Sequence, residues 1–73
     1  MNEGIFLNTI GQILSNQRRV FEITLQELSS KTGIDIEKIV GIEMGEISLD
    51  LEEFLKITDA IGIDAAKIMN EIN

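Results

Sequence analysis

The chain of 73 residues is long enough for one small domain with a single core, and 44% of its residues are hydrophobic while 26% are charged. The apolar residues are mainly fourteen Ile and seven Leu, and six Lys and Arg against thirteen Asp and Glu give a net charge of −7. Because His and Cys are absent, the usual zinc sites, thiol nucleophiles and imidazole bases are excluded. We therefore expect a protein that is not an enzyme, with no catalytic residue, no metal or other cofactor and no small-molecule substrate.

The charge and the apolar runs also bear on location. The longest apolar run near the start, Ile5-Phe6-Leu7, is far too short for a secretory signal or a membrane span, and no basic stretch precedes it. A net charge of −7 repels phosphate and anionic lipid at long range. We expect a cytoplasmic protein with no membrane partner.

The first predicted helix covers about residues 3–19. Its apolar residues follow the helical spacing i, i+4, i+7, i+8 and form one inward stripe, consisting of Phe6, Ile10, Ile13 and Leu14. Val20 and Phe21 follow the helix. They are interpreted either as a satellite of the core, a small apolar cluster packed beside it, or as part of an interface between copies in an oligomer.

The second and third predicted helices cover about residues 24–31 and 35–44. Thr24 with Glu27 forms a capping box, and Gly33 is suited to the left-handed conformation that ends a helix. Asp35 is placed to cap the third helix and Gly45 to close it. The two helices thus have helix-turn-helix spacing.

The last two predicted helices cover about residues 50–61 and 64–72. Asp50 with Glu53 forms a second capping box, and Asp64 can cap the final helix. No proline, repeat or linker interrupts the series. The sequence predicts an all-α fold, a compact five-helix bundle in one domain over residues 1–73.

The joint spacing of several short motifs identifies a family. The motif residues are Ile10-Gly11, Leu14, Arg18, Thr24, Glu27-Leu28, Thr32-Gly33-Ile34, Ile39, Ile42-Glu43, Gly45, Leu51-Glu52, Leu55-Lys56-Ile57, Asp59-Ala60 and Ile61-Gly62-Ile63. From residue 10 to residue 69, without gaps, this pattern resembles the lambda-repressor-like (XRE-type) helix-turn-helix family of bacterial and phage regulators. The resemblance implies a DNA-binding domain whose third helix enters the major groove, with dimers that read two half-sites. It also implies that Glu43 pairs with Arg18.

The resemblance thus implies a small XRE-type transcriptional regulator that binds duplex DNA, with a homodimer as a further assembly. The recognition residues would be Asp35, Ile36, Glu37, Lys38, Val40, Gly41 and Met44, and the candidate DNA-backbone contacts Arg18, Arg19 and Lys31.

The sequence departs from the family at positions that usually touch DNA. Where many members begin the second helix with Thr-Gln, this chain has Thr24-Leu25. The positions where Arg or Lys is frequent in the family hold Gly41, Met44, Glu46 and Ile47. Residues 34–53 hold seven acids and one Lys, a net charge of −6. Since cationic contacts to phosphate supply most non-specific affinity, we expect DNA binding to be weak or assisted by a partner.

Projected at 100° per residue, Ile36, Val40 and Met44 form an apolar face separate from the one that holds Ile39 and Ile42. One alternative function follows, a protein-interaction module that binds another regulator or itself through this face. A second interpretation is that the helix is simply more deeply buried. A third is contact with thymine methyl groups, with Glu37 accepting from a cytosine amino group. Leu25 and Ile47 could extend the face.

Overall fold

The computed structural model describes the backbone of residues 3–72 and the side chains of residues 9–70. The described part is all-helical and contains no strand, which confirms the predicted fold class. Its five helices are α1 (Glu3–Val20), α2 (Leu25–Thr32), α3 (Ile36–Glu43), α4 (Leu51–Ile61) and α5 (Ala65–Ile72). Each observed bound lies within one residue of the bound predicted from the sequence.

Both predicted capping boxes are present. The Thr24 hydroxyl accepts a hydrogen bond from the Glu27 amide at 3.0 Å, and the Glu27 carboxylate accepts one from the Thr24 amide at 3.2 Å. Asp50 and Glu53 make the same exchange at 2.7 Å and 3.0 Å. The first peptide groups of α2 and α4 are therefore satisfied by side chains close in sequence.

The start of α3 differs from expectation. Asp35 occupies the N-cap position, as predicted, but its side chain makes no capping hydrogen bond, so the predicted side-chain cap is wrong. At the other end, Gly45 has the left-handed φ of 74° and its amide donates to the Ile42 carbonyl at 3.1 Å. The Asp64 carboxylate does cap α5, accepting from the Ala66 amide at 2.9 Å.

All five helices contribute to one core, which is aliphatic except for Phe54. Its buried residues are Ile10, Leu14, Leu28, Ile34, Ile39, Ile42, Phe54, Ile57, Ile61 and Ile68. Within the predicted stripe of α1, Ile10 and Leu14 are buried and Ile13 is partly buried, while the Phe6 side chain lies outside the described residues. Val20 and Phe21 are 70% and 50% exposed, so their interpretation as a satellite of the core is wrong. Within residues 3–72, no helix is both long and apolar enough to cross a membrane.

Gly11 allows α1 and α3 to approach closely. A Cβ atom at this position would overlap the carbonyl oxygen of Ile42 and would lie 2.7 Å from that of Glu43. Because the obstructing atoms belong to the α3 backbone, they cannot move aside as a flexible side chain could. The close contact of α1 with α3 therefore requires glycine here.

A second contact fixes the same two helices. Arg18 Nε donates to Glu43 Oε2 at 2.8 Å, and Arg18 Nη2 donates to Glu43 Oε1 at 3.1 Å. Arg18 Nη1 donates to the Ile23 carbonyl at 2.9 Å. The hydrogen bonding of the Arg18 guanidinium to the Glu43 carboxylate raises the pKa of Arg18 above its ordinary value. The pair implied by the resemblance is present and joins α1, the turn after it and α3.

We expect Gly11→Ala to destabilise the domain by about 1–3 kcal/mol, because overlap with the α3 backbone outweighs the helix propensity of Ala. Urea denaturation measures the change. The matched control is Gln12→Ala, on the exposed side of the same turn, which we expect to be neutral. A Gly11→Ala variant at least as stable as the parent would contradict the close approach.

We expect Arg18→Ala to cost about 3 kcal/mol of unfolding free energy, because it leaves the Glu43 carboxylate, whose side chain is only 10% exposed, without its cation. The double variant Arg18→Met with Glu43→Leu is expected to lose less than Arg18→Ala alone, since no charge is then stranded. Equal losses of the two variants in chemical denaturation would contradict this explanation, because the stranded Glu43 charge would then not be the cause of the destabilisation.

Candidate functional site

The turn between α2 and α3 is fixed by short-range hydrogen bonds. The Ser29 hydroxyl donates to the Ile34 carbonyl at 2.6 Å. The Thr32 hydroxyl donates to the Leu28 carbonyl at 2.8 Å and accepts from the Ile34 amide at 3.1 Å. Gly33 ends α2 with a left-handed φ of 75°. These contacts set the angle at which α3 leaves α2 and so determine which α3 side chains face outward.

One side of α3 faces the core and another faces outward. Ile39 and Ile42 are each 1% exposed and belong to the core. Ile36 is 40% exposed and Met44 is 58% exposed, with Val40 partly buried between them. The interpretation that this face is buried inside the protomer is therefore wrong. We call Ile36, Val40 and Met44 the α3 stripe.

Gly41 was predicted to be a recognition residue, but it does not contribute to the surface. It is buried, and a Cβ atom there would overlap the Ile47 side chain, lying 2.6 Å from its Cγ1. The Gly41 carbonyl accepts from the amides of Glu46 and Ile47 at 2.8 and 3.1 Å. The loop after α3 thus folds back over Gly41, and Ile47, 38% exposed, presents its surface in place of the glycine.

The α3 stripe borders a shallow groove between α1, the start of α2 and α3. Leu25, Val40 and Met44 form its apolar part, so the structure brings Leu25 to the stripe as predicted. The opposite wall is polar and comes from the second half of α1, with Gln12, Ser15, Asn16 and Arg19. Sequence reasoning did not single out the first three of these residues, because nothing local to α1 marks them as neighbours of α3.

Two of the predicted cations are engaged within the protein. The Arg18 side chain is 11% exposed and bound to Glu43, which leaves little of it for the predicted contact with the DNA backbone. Lys38 forms an ion pair with Glu53 of α4. The hydrogen bond between them raises the pKa of Lys38 and lowers the pKa of Glu53. The charge that Lys38 brings to the α3 surface is balanced there by a carboxylate.

The cations left near this surface are few. Arg19 and Lys31 are exposed, and within residues 9–70 neither forms an ion pair. Asp35, Glu37 and Glu46 are exposed acids at the start of α3, on its first turn and after its end. Among these exposed residues near α3 in the sequence, the carboxylates therefore outnumber the cations by three to two.

This chemistry limits what α3 could read in a DNA groove. The exposed side chains of the stripe offer apolar contact, and the Glu37 carboxylate accepts hydrogen bonds but donates none. Such groups match thymine methyls and the amino group of cytosine, whereas guanine is usually read by Arg or Lys donors. The surface is also suited to apolar contact with a protein.

Comparison with known proteins supports the fold. No protein-family model and no curated protein sequence matches the chain. Among solved structures, the chain is similar to the restriction-modification controller protein C.AhdI from Aeromonas hydrophila, with a TM-score of 0.82 and 25% sequence identity. The match covers 88% of this chain and 97% of C.AhdI. The resemblance seen in the sequence motifs is thereby confirmed: the chain has the lambda-repressor-like, XRE-type helix-turn-helix fold.

Proposed function

We propose that the chain is a small helix-turn-helix transcriptional regulator, a binding protein rather than an enzyme, which meets duplex DNA through α3. The observation that carries this proposal is the likeness to C.AhdI, a controller protein, over nearly the whole length of both chains. In a homodimer, two copies of α3 would address two half-sites. A single domain formed by all 73 residues and a cytoplasmic location belong to the same proposal.

The proposed mode of binding depends little on phosphate contacts. Arg19 and Lys31 are the exposed, unpaired cations beside α2 and α3, whereas Asp35, Glu37 and Glu46 repel phosphate. Base contacts from the α3 stripe supply specificity but little of the affinity that phosphate contacts normally provide. The domain is therefore expected to bind DNA weakly by itself and more tightly when a partner supplies additional contacts.

A second candidate function is a protein-interaction module that keeps the helix-turn-helix scaffold. The observation in its favour is the exposure of Ile36 and Met44 on α3, with Leu25 and Val40 lining one groove together with Met44, where DNA-reading helices are usually polar. Under this candidate, the α3 stripe binds another regulator or a second copy of the chain.

We expect the affinity for a random-sequence duplex to depend only shallowly on salt. With two phosphates neutralised per protomer, the slope of log K against log salt concentration is about −2, at roughly −0.9 for each contact. Fluorescence anisotropy between about 50 and 200 mM salt measures it. A slope of about −6 or steeper would contradict the proposed mode, because the exposed cations near α3 cannot supply that many phosphate contacts.

We expect Glu53→Gln to strengthen DNA binding, because it releases Lys38 to contact a phosphate. Gln retains the oxygen that accepts from the Asp50 amide, so the cap of α4 is kept. The salt slope is expected to steepen by about 0.9.

The matched control for Glu53→Gln is Asp59→Asn. It makes the same change of charge at an exposed acid for which the described residues provide no ion pair. Equal effects of the two variants would show that net charge, and not the release of Lys38, determines the affinity.

A further inference from the structure

We infer that the α1 side of the domain binds one phosphate backbone of the duplex through two neutral amide side chains, those of Gln12 and Asn16. The inference rests on the proposed function and deepens it, since it names the side of α3 that meets phosphate. Its basis is a difference in charge between the two sides of α3, together with the polar wall that α1 places on one of them.

A helix that lies in the major groove has a phosphate backbone on each side. With its side chains an α-helix is about 10–12 Å across, and the major groove is about 12 Å wide. In α3, Lys38 and Val40 are two residues apart and therefore point about 160° away from each other around the helix axis. The elements beside Lys38 and those beside Val40 would thus face different phosphate backbones.

The side of α3 that holds Lys38 is acidic. A cleft between the α2–α3 turn and the start of α4 is lined by four carboxylates and two lysines, namely Asp35, Asp50, Glu52, Glu53, Lys38 and Lys56. Lys38 is paired with Glu53, and Lys56 is paired with Glu52 at 3.3 Å. Because the carboxylates outnumber the lysines, this side of α3 repels phosphate.

The side of α3 that holds Val40 has the opposite balance. It borders the groove between α1, the start of α2 and α3, whose charged lining residues are Arg18, Arg19 and Glu43. Both carboxylate oxygens of Glu43 accept hydrogen bonds from Arg18. The acid is therefore neutralised within the protein, and the exposed cation Arg19 leaves this side favourable to phosphate.

The α1 wall of this groove presents hydrogen-bond donors. Gln12, Asn16 and Arg19 are spaced i, i+4 and i+7, so they lie on one face of α1, and all three are exposed. Each amide side chain carries an NH₂ group with two donors, and within residues 9–70 neither amide is hydrogen-bonded to the protein. Asn and Gln commonly donate to DNA phosphate oxygens, and such contacts fix the position of a protein on the duplex. The α1 wall is therefore suited to hold α3 in register along one backbone.

The neutral character of the two amides has a measurable consequence. Binding to DNA releases counterions when Lys or Arg neutralises a phosphate, and the number of such contacts sets the salt slope. Hydrogen bonds from Gln12 and Asn16 would add affinity without steepening that slope. They are thus compatible with a domain that has few exposed cations near α3.

The test uses the full chain and a random-sequence duplex of about 20 base pairs, since backbone contacts do not depend on base sequence. We expect Gln12→Ala and Asn16→Ala each to raise the Kd about three- to tenfold at about 50 mM salt, with an unchanged salt slope. Fluorescence anisotropy measures the Kd, and an unchanged melting temperature shows that the fold is kept.

The matched control for the alanine variants is Gln17→Ala. Gln17 is an amide on the same helix, but it lines a different cleft, with Lys67 and Ile68 of α5. We expect this variant to bind the duplex like the parent. If Gln12→Ala and Asn16→Ala also bind like the parent, the inference is wrong.

Lysine substitutions locate the phosphate by a gain of affinity, which loss of the fold cannot produce. Asn16→Lys is expected to lower the Kd and to steepen the slope of log K against log salt concentration by about 0.9, because a cation then faces the backbone. Gln17→Lys makes the same change of charge about 100° further around α1 and is expected to change the slope little. Equal steepening by the two variants would overturn the inference, since net charge alone would then explain the effect.

The parent chain separates this inference from the proposed function. Equal duplex binding by the parent and by both α1 alanine variants overturns the inference and leaves the DNA-binding regulator standing. Absence of duplex binding by the parent, even at about 50 mM salt, counts against the proposed function, and the inference falls with it.

Discussion

The ion pair between Arg18 and Glu43 links the fold of this protein to the character of its surface. It joins α1 to α3 and, through the Ile23 carbonyl, to the turn that leads into α2. The same pairing withdraws a guanidinium from the side of the molecule where a helix-turn-helix protein would need cations. Beside it, Gly11 lets the two helix backbones touch, so α3 is held firmly whatever its outer face contacts.

The outer face of α3 can depart from the usual polar composition of a DNA-reading helix because its inner face already anchors the helix in the core. Ile39 and Ile42 anchor α3 in the core, whereas Ile36, Val40 and Met44 are not part of it. Apolar residues that are exposed on a small acidic domain weaken its solubility unless something covers them. The exposed apolar stripe therefore points to contacts made by shape and apolar area.

Local signals in the sequence were sufficient for the helices but not for the contacts between them. The capping boxes at Thr24 and Asp50 depend on residues three positions apart, so pattern alone locates the starts of α2 and α4. The exposure of Ile36 and Met44 followed from helical projection, since Ile39 and Ile42 had to face the core. The Arg18–Glu43 pair spans 25 residues and was implied by family resemblance only. The pairing of Lys38 with Glu53, and the packing of Ile47 over Gly41, depend on the path of the loop between α3 and α4, which no local pattern determines.

Methyl NMR of the full chain tests most directly whether the α3 stripe, rather than the exposed cations Arg19 and Lys31, makes the main contacts with the ligand. With the Ile, Val and Met methyl groups labelled, the chain is titrated with duplex DNA. We expect the largest chemical-shift changes at the methyl groups of Ile36, Val40 and Met44 and only small changes at the amides of Arg19 and Lys31. Large shifts at Arg19 and Lys31 with unchanged stripe methyls would contradict this expectation.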